Sequence, residues 1–421
     1  MANQTLISSQ QDSTASKPSA VILFADSFQQ QGLDALEELG CTIVLDSSLK
    51  DGLLTEAIKE ANPDVLVVRS TKVTKEMLAA SDRLSLIVRA GAGYDTIDVA
   101  QASKYGIFVA NCPNKNSVAV AELTWSLILA CDRKVPDQVN DLRNGKWNKK
   151  EYSKALGLYG RTLGVIGLGG IGKEVVLRGK AFGMHIVAWS RSLTDEGAEE
   201  LGIERCESLL NVAKMSDVIT VHLSSTPETA NIINKEFLSS IRDGATFVNT
   251  SRGNVVDELA LEQAIRDKNL LVGLDVYQNE PSSGDSEFSP SIINKKSVYG
   301  THHVGASTSQ AQQAISTEAV RVIRTYIETG EVKNCVNLAK STPAQAMLSV
   351  RHLNLPGVLA AVFELLSHAG VNVEEMENII YEGAEAACAK IQLDEMPTQE
   401  QIEQIRNNAN VLSVTVSTIN S

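Results

Sequence analysis

The chain has 421 residues, of which 43% are hydrophobic and 21% are charged, and its formal net charge is −13. This length allows two or three domains with cores of their own. The acidic balance argues against nucleic acid or an anionic membrane surface as the main partner, because both favour clustered Lys and Arg. No apolar stretch reaches the length of a membrane span, and the sequence shows no signal peptide.

The six cysteines are scattered along the chain and show no metal-ligand spacing. They are typical of reduced thiols, so we expect a cytoplasmic protein without a metal site. Residues 1–18 are rich in Ser, Gln and Thr, and this composition predicts a disordered tail.

From Ala20 onward, short β-branched runs alternate with amphipathic helical patterns. This alternation predicts a parallel sheet with helices on both faces. A long apolar helix (117–133) and a polar stretch (136–159) follow, and then the alternation starts again. The predicted strands are 20–24, 41–45, 64–68, 84–88 and 107–111 in the first set, and 162–167, 185–190, 216–223, 245–251, 271–276 and 297–303 in the second. We therefore expect two doubly wound, Rossmann-like α/β domains with a cleft between them.

The composition changes again at residues 336–345, which include Pro343 and are typical of a linker. Residues 346–421 then follow the order strand, helix, strand, strand, helix, strand. The last predicted strand alternates cleanly, with Val414 and Val416 on the same side. This β-α-β-β-α-β order predicts a small ferredoxin-like domain at the C-terminus.

The segment GLGGIG (167–172) has the pattern G-x-G-x-x-G and stands between an apolar strand and a helix. Gly167 permits the tight turn, Gly169 lets the backbone approach a pyrophosphate, and Gly172 allows close packing of helix on strand. Gly170 and Ile171 begin the helix, whose N-terminal amides would face the pyrophosphate. The segment predicts a dinucleotide site.

The next strand ends without the acidic residue that normally holds the ribose 2′-OH of NAD. Ser190 and Arg191 stand there instead, and the first carboxylate after them is Asp195. A Ser–Arg pair can bind a 2′-phosphate, bidentately through the arginine. The choice between NAD, the cofactor expected for such a loop, and NADP therefore stays open, and this pair favours acceptance of NADP.

Three later segments, NTSRGNVVDELAL, GLDVYQNEP and THHVGAST, each follow a predicted strand. They bring Arg252, Glu280 and His303 to the carboxyl edge of one sheet, where α/β enzymes bind ligands. An arginine can grip the carboxylate of a keto acid, and a histidine can supply a proton to the carbonyl oxygen. A carboxylate beside the histidine keeps the ring oriented and favours its protonated form.

These motifs resemble the D-isomer-specific 2-hydroxyacid dehydrogenases, and the similarity runs from about Ala20 to Cys335. The resemblance implies that Arg252, Glu280 and His303 form the active site. It also implies that Asp275, in the GLDV segment, contacts the cofactor.

The same resemblance implies a domain plan. Residues 19–115 and 304–335 would together form a substrate-binding domain, and residues 116–303 would be a nucleotide-binding domain inserted between them.

Within this family, several segments resemble the members that act on D-3-phosphoglycerate. The resemblance implies that Arg69 in VVRSTKVT meets the substrate phosphate, and that Gly91 and Gly93 in VRAGAGYDTID offer backbone amides to the substrate. It places Asn111 near the substrate. It also implies that Lys149 reaches the phosphate from a neighbouring subunit. The expected assembly is a homodimer or homotetramer, because ACT domains, which the C-terminal segment resembles, typically pair side by side.

The C-terminal segment RHLNLPGVL and the later GVN resemble an ACT domain (346–421), a sensor that often binds amino acids. In serine-regulated members of the family, these motifs imply an L-serine site formed here by His352, Asn354 and Asn372. Amide and imidazole groups suit a zwitterionic ligand.

Two alternatives remain open at the sequence level. A glyoxylate/hydroxypyruvate reductase would share the three catalytic residues; Ser190 and Arg191 favour it, whereas Arg69 and the C-terminal module oppose it. A nicotinamide-sensing corepressor would keep the same fold, but it would need an exposed peptide-docking surface, and no segment of the sequence stands out as one.

Overall fold

The computed structural model of the protein describes residues 20–281 and 286–419. The predicted tail, residues 1–18, lies outside these ranges. The chain divides into two compact units, one ending at Asn337 and the other beginning at Leu338. The first unit contains two parallel sheets, and the second contains one antiparallel sheet.

The first sheet has five parallel strands in the order β2-β1-β3-β4-β5. This order reverses between β1 and β3, and ligands bind at such switch points in doubly wound sheets. The strands are β1 (Val21–Phe24), β2 (Thr42–Leu45), β3 (Val65–Val68), β4 (Leu86–Arg89) and β5 (Phe108–Asn111), and the helices between them are α1 (Gln30–Glu37), α2 (Asp51–Ala61), α3 (Lys75–Leu78) and α4 (Val99–Lys104).

Three helices follow before the next sheet: α5 (Ser117–Arg133), α6 (Val135–Arg143) and α7 (Lys149–Tyr152). Helix α5 buries much of its surface, as its apolar composition predicts. Helices α6 and α7 lie almost entirely in the polar stretch 136–159, whose composition did not predict them. Pro136 lies in the first turn of α6, where its missing N–H removes no helical hydrogen bond.

The second sheet has seven parallel strands in the order β12-β11-β10-β9-β6-β7-β8. Its order reverses between β6 and β9, so the glycine segment that follows β6 opens at the switch point. Its elements are β6 (Thr162–Ile166), α8 (Gly170–Ala181), β7 (His185–Trp189), α9 (Asp195–Glu200), β8 (Glu204–Arg205), α10 (Leu209–Met215), β9 (Val218–Val221), α11 (Lys235–Ser240), β10 (Thr246–Asn249), α12 (Glu258–Lys268), β11 (Leu271–Leu274) and β12 (Val298–Gly300).

The long helix α13 (Ser309–Thr329) returns from the second sheet to the first. Its apolar residues Ile315, Ala319 and Ile323 are buried in one cluster with Ile22 and Phe24 of β1. Strands β3, β9 and β10 are buried at every position, because helices cover both faces of a parallel sheet.

The second unit is a four-stranded antiparallel sheet in the order β14-β15-β13-β16. Its elements are β13 (Ala346–Leu353), α14 (Val358–His368), β14 (Val373–Ile380), β15 (Ala386–Leu393), α15 (Gln399–Arg406) and β16 (Val411–Thr418). Apolar residues of both helices and of the sheet, among them Leu348, Val362 and Ile405, form its core. The predicted fold class, two doubly wound parallel-sheet domains and a ferredoxin-like domain, is confirmed.

Within the described parts of the chain, none of the helices has both the length and the apolarity needed to span a bilayer.

Candidate active site

The side chains of His303 and Glu280 are in close contact in the first unit. Nδ1 of His303 lies 2.6 Å from Oε2 of Glu280, and the other oxygen of Glu280 accepts a hydrogen bond from the backbone N–H of Tyr277 at 2.8 Å. Burial would raise the pKa of Glu280, but the contacts with His303 hold it below its ordinary value. Because Nδ1 is engaged by the carboxylate, Nε2 is the ring nitrogen left to exchange a proton with a substrate.

Asp275, the residue after β11, holds the loop that carries His303 through hydrogen bonds. Asp275 is 1% exposed. Its Oδ1 accepts from the N–H of Val304 at 2.9 Å and from the hydroxyl of Thr301 at 2.6 Å, and its Oδ2 accepts from the N–H of Gly305 at 2.9 Å. His303 itself has a φ of 53°, a left-handed conformation that costs energy for a residue with a side chain. The hydrogen bonds to Asp275 hold this conformation in place.

Arg252 follows β10 in a turn that Asn249 organises. The amide oxygen of Asn249 accepts from the N–H and the hydroxyl of Ser251, and its Nδ2 donates to the carbonyl of Arg252 at 2.9 Å. The guanidinium of Arg252 then reaches across to Asp95, in the loop after β4, at 3.1 Å. Arg252 therefore stands where the loops of the two parallel sheets meet.

Arg89, the last residue of β4, is a site residue that the sequence analysis missed. Its Nε finds no hydrogen-bond partner among the described residues. Burial, and secondly the charge of Arg252, lower the pKa of Arg89 to about 10, while Asp95 opposes this shift. The only sequence signal for Arg89 is its position at the end of a predicted buried strand.

Arg69 also faces this region, and a neighbouring carboxylate fixes its loop. Asp26 accepts hydrogen bonds from the backbone N–H groups of Arg69, Ser70 and Thr71, at 2.6, 3.2 and 3.2 Å. The guanidinium of Arg69 lies 3.5 Å from the hydroxyl of Ser307, and Arg69 lines a small cavity of about 100 Å³.

The glycine loop after β4 lies directly beside Arg252. A Cβ at Gly93 would lie 2.1 Å from Nη2 of Arg252, so a larger residue there would displace the guanidinium. Asn111 is buried, and its Nδ2 donates to the carbonyl of Ala92 at 2.6 Å. Asn111 therefore holds the loop formed by Gly91, Ala92 and Gly93.

Lys149 does not lie with the other predicted substrate-binding residues. It begins α7, in an exposed segment with Trp147, rather than in the strand-end loops.

The dinucleotide loop has the geometry that its glycines predict. Gly167 has a φ of +94°, and a Cβ there would lie 2.5 Å from the carbonyl of His222, whereas a Cβ at Gly172 would lie 2.0 Å from the carbonyl of Gly167. Gly169 caps α8 and has open space around its Cβ position. Gly170 and Ile171 open this 12-residue helix. The open cradle and the helix N-terminus fit a pyrophosphate.

Two further features border this loop. Ser190 and Arg191 follow β7, and Arg191 is exposed. His222, which the sequence analysis did not single out, follows β9; burial lowers its pKa to about 3, so it is neutral. Its Nε2 lies 2.9 Å from the hydroxyl of Thr220.

In the second unit, the three predicted effector residues do not meet. Asn354 donates to the carbonyl of Ala384 beside the start of β15, whereas the N–H of Asn372 donates to Asp394 beyond the end of that strand. An eight-residue strand, about 25 Å long, separates them. His352 is 2% exposed, with Nδ1 2.7 Å from the carbonyl of Leu353. One ligand cannot contact all three residues within one chain.

Comparison with known proteins gives the family. Residues 125–305 match the family described as D-isomer specific 2-hydroxyacid dehydrogenase, NAD binding domain. The chain is 41% identical over 264 residues to the hydroxypyruvate reductase of Thermotoga maritima, which covers 62% of this chain and 83% of that protein. The chain belongs to the D-isomer specific 2-hydroxyacid dehydrogenases.

Two other members of this family are also similar. The D-3-phosphoglycerate dehydrogenase of Methanocaldococcus jannaschii is 40% identical over 319 residues, which covers 75% of this chain and 59% of that protein. The solved structure of the NAD⁺-bound 3-phosphoglycerate dehydrogenase of Entamoeba histolytica superposes with a TM-score of 0.64 at 27% identity, covering 76% of this chain and 99% of that chain. The present chain spans 57% to 62% of the length of the first phosphoglycerate dehydrogenases that it matches.

Proposed function

We propose that this dehydrogenase oxidises D-3-phosphoglycerate to 3-phosphohydroxypyruvate, the first step of L-serine biosynthesis. The observation that carries the proposal is the hydrogen-bonding contact between His303 and Glu280, which lies in the same unit as Arg252, Arg89 and Arg69. The relative from Methanocaldococcus jannaschii, a D-3-phosphoglycerate dehydrogenase, supports the same substrate.

Each polar group of the site has a role in this reaction. Arg252 binds the substrate carboxylate, and Nε2 of His303 takes the proton of the C2 hydroxyl as the alcohol becomes a ketone. Glu280 holds the ring and balances the positive charge that His303 then carries. The glycine loop and α8 would hold NAD, whose oxidised nicotinamide would accept the hydride from C2.

The substrate phosphate distinguishes this reaction from that of a simple hydroxypyruvate reductase. Arg69 is held by the backbone contacts of its loop to Asp26, and Nε of Arg89 has no hydrogen-bond partner in the described part of the chain. A phosphate is the anion that such arginines bind best. The charges of Arg252 and Arg69 both act on Arg89. This positive charge exceeds what a single carboxylate requires, and it favours the phosphorylated substrate.

The test is to measure kcat/KM for 3-phosphohydroxypyruvate, hydroxypyruvate and glyoxylate in the reducing direction, each with NADH and NADPH. We expect the phosphorylated acid to be preferred. Arg69→Ala should raise the KM for 3-phosphohydroxypyruvate but not for hydroxypyruvate, and Lys72→Ala, an exposed cation of the same loop, is the control. Preference for hydroxypyruvate would instead assign the activity of the Thermotoga maritima relative.

We also propose that the enzyme uses NAD and accepts NADP. The family's NAD binding domain covers residues 125–305, and Ser190 and Arg191 occupy the strand end where a carboxylate would repel a 2′-phosphate. We place the protein in the cytoplasm, which the six free thiols support.

The exposed segment around α6 and α7 supports a homodimer or a homotetramer built from such dimers. Large apolar side chains are exposed there, among them Leu142 at 58% and Trp147 at 81%, which line one surface pocket together with Lys149. Such a patch marks an interaction site. Lys149 lies within it, so pairing through this patch would let Lys149 of each subunit approach its neighbour's substrate.

Finally, we propose that the C-terminal unit is an ACT domain and that L-serine inhibits the enzyme by binding there. His352 and Asn354 lie at one end of the sheet and Asn372 at the other. A complete serine site would therefore combine residues of two chains, so the effector proposal also requires an oligomer.

A further inference from the structure

Asp95 links the glycine loop of the first sheet to Arg252 of the second. Its Oδ2 lies 3.1 Å from Nε of Arg252, and its Oδ1 lies 3.3 Å from Nε and 3.1 Å from Nη2. The carboxylate therefore takes the side edge of the guanidinium, formed by Nε and Nη2, in bidentate fashion.

The remaining N–H groups of Arg252 can be assigned in turn. Nη1 donates one of its hydrogens to the carbonyl of Ser251 at 2.8 Å. A guanidinium has five N–H donors in a fixed plane. Within the described part of the chain, these contacts leave one N–H on each Nη without a partner. We call the side of the guanidinium formed by Nη1 and Nη2 its outer edge. Two parallel N–H groups are the partner that a second carboxylate takes bidentately.

We propose that Asp95 is a positioning residue that holds the guanidinium of Arg252 so that its outer edge faces the carboxylate of the substrate. The inference rests on the proposed function only in requiring a 2-hydroxy or 2-oxo acid as substrate. Asp95 does not touch the substrate in this arrangement, and its effect passes through Arg252.

The surroundings of Asp95 support this role. A Cβ at Gly93 would lie 2.1 Å from Nη2 of Arg252, so the loop backbone already packs against the guanidinium on that side. Burial would raise the pKa of Asp95, but the hydrogen bonds and charge of Arg252, together with the charge of Arg89, hold it below its ordinary value. Asp95 is therefore ionised at neutral pH and compensates two arginines that would otherwise repel each other.

The experiment compares Asp95→Ala and Asp95→Asn with the wild-type holoenzyme. Oxalate, a small dicarboxylate that cannot be reduced, is titrated into the NADH complex by calorimetry, and the KM and kcat are measured with whichever 2-oxo acid the wild type reduces. For Asp95→Ala we expect the Kd of oxalate and the KM to rise about 10-fold or more, because a hydrogen-bonded charge no longer orients Arg252. Asp95→Asn keeps one acceptor oxygen, so its Kd of oxalate and its KM should lie between those of the wild type and those of Asp95→Ala.

Asp98→Asn is the matched control, because Asp98 belongs to the same loop but caps α4 by accepting from the N–H of Gln101. It should leave the Kd of oxalate, the KM and the Kd of NADH unchanged. For Asp95→Ala and Asp95→Asn, the Kd of NADH should also stay at the wild-type value.

Three outcomes would overturn the inference: unchanged oxalate affinity and KM in Asp95→Ala, an equal loss of NADH affinity in both Asp95 variants, or a wild-type NADH complex that does not bind oxalate. The second would mark Asp95 as a purely structural residue. If Asp95→Ala does not fold, the Asp95→Asn titration decides alone. A wild type that reduces hydroxypyruvate but not 3-phosphohydroxypyruvate would refute the proposed substrate and leave this test intact.

Discussion

At the scale of single residues, the site depends on carboxylates that orient other groups. Glu280 holds His303, Asp275 holds the loop that carries it, and Asp26 holds the loop of Arg69. The sequence predicted Glu280 from its motif, but Asp26 carries no motif, because its partners are backbone amides 43 to 45 residues away. Only folding brings such groups together.

His303 should be essential for turnover. His303→Ala should lower kcat for 3-phosphohydroxypyruvate by about 10²–10⁴-fold, the usual contribution of a positioned acid or base, while NADH binding is unchanged. Steady-state kinetics with calorimetry of NADH binding would check this. His302→Ala, an exposed histidine in the same loop, is the control, and wild-type turnover in a folded His303→Ala would refute the assignment.

Cofactor choice should depend on Ser190. We expect the wild type to use both NADH and NADPH, since no carboxylate at this strand end repels the 2′-phosphate. Ser190→Asp should shift the ratio of kcat/KM toward NADH by about 10-fold or more, because a like charge beside the phosphate is costly. Ser192→Asp, an exposed serine two residues on, should change the ratio less. Complete failure of the wild type with NADPH would contradict the expectation.

At the scale of elements, helix α13 ties the two parallel sheets of the first unit together. Glu318 on this helix is nearly buried and accepts contacts from three segments: Arg321 at 2.6 Å, Asn334 at 2.6 Å and Lys115 at 3.3 Å. Lys115 lies in the crossover from β5 to α5, between the two sheets. Glu318 therefore joins the crossover to the returning helix.

Glu318→Gln should destabilise the first unit. The hydrogen bonds from Arg321, and then those from Asn334 and Lys115, lower the pKa of Glu318 to about 2 although burial opposes the shift. A carboxyl whose pKa is lower in the folded chain adds stability above its unfolded pKa and loses it as the pH falls through the folded value. The loss at pH 7 should be about 2–3 kcal/mol.

Urea unfolding at pH 7 and pH 3 would check this prediction, and the difference between wild type and Glu318→Gln should be smaller at pH 3. Glu328→Gln, exposed near the end of the same helix, is the control. An equal effect of both variants, or a difference that does not depend on pH, would contradict the account.

At the scale of the whole molecule, the proposed catalytic residues and the proposed effector residues belong to different compact units. Inhibition by serine would require that the ligand bind one arrangement of the molecule better than another. The usual coupling between two such sites is about 5–150-fold in affinity.

We expect L-serine to lower the turnover of the full chain but not of a chain truncated after Lys340, which keeps the first unit whole. Asn372→Ala should weaken the inhibition and leave basal turnover unchanged, whereas Asn407→Ala, exposed at the end of α15, should not alter it. Turnover against serine concentration, with calorimetry of serine binding, is the measurement. Unchanged turnover at millimolar serine without any binding would leave the second unit a structural or oligomerisation domain.

The sequence by itself determined what depends on local pattern. Runs of β-branched residues, the spacing of Gly167, Gly169 and Gly172, and the strand-end motifs of Arg252, Glu280 and His303 predicted the sheets and the catalytic trio, because each signal lies within a few consecutive residues.

Only the tertiary structure decided the rest. Arg89 and Asp95 become site residues because β4 ends opposite the turn of Arg252, and such proximity leaves no local signal in the chain. The effector trio shows the converse. The sequence motifs suggested that His352, Asn354 and Asn372 form one site. However, β13 and β14 are both antiparallel to β15 and therefore run in the same direction. The end of β13, with His352 and Asn354, and the start of β14, next to Asn372, thus lie at opposite ends of β15.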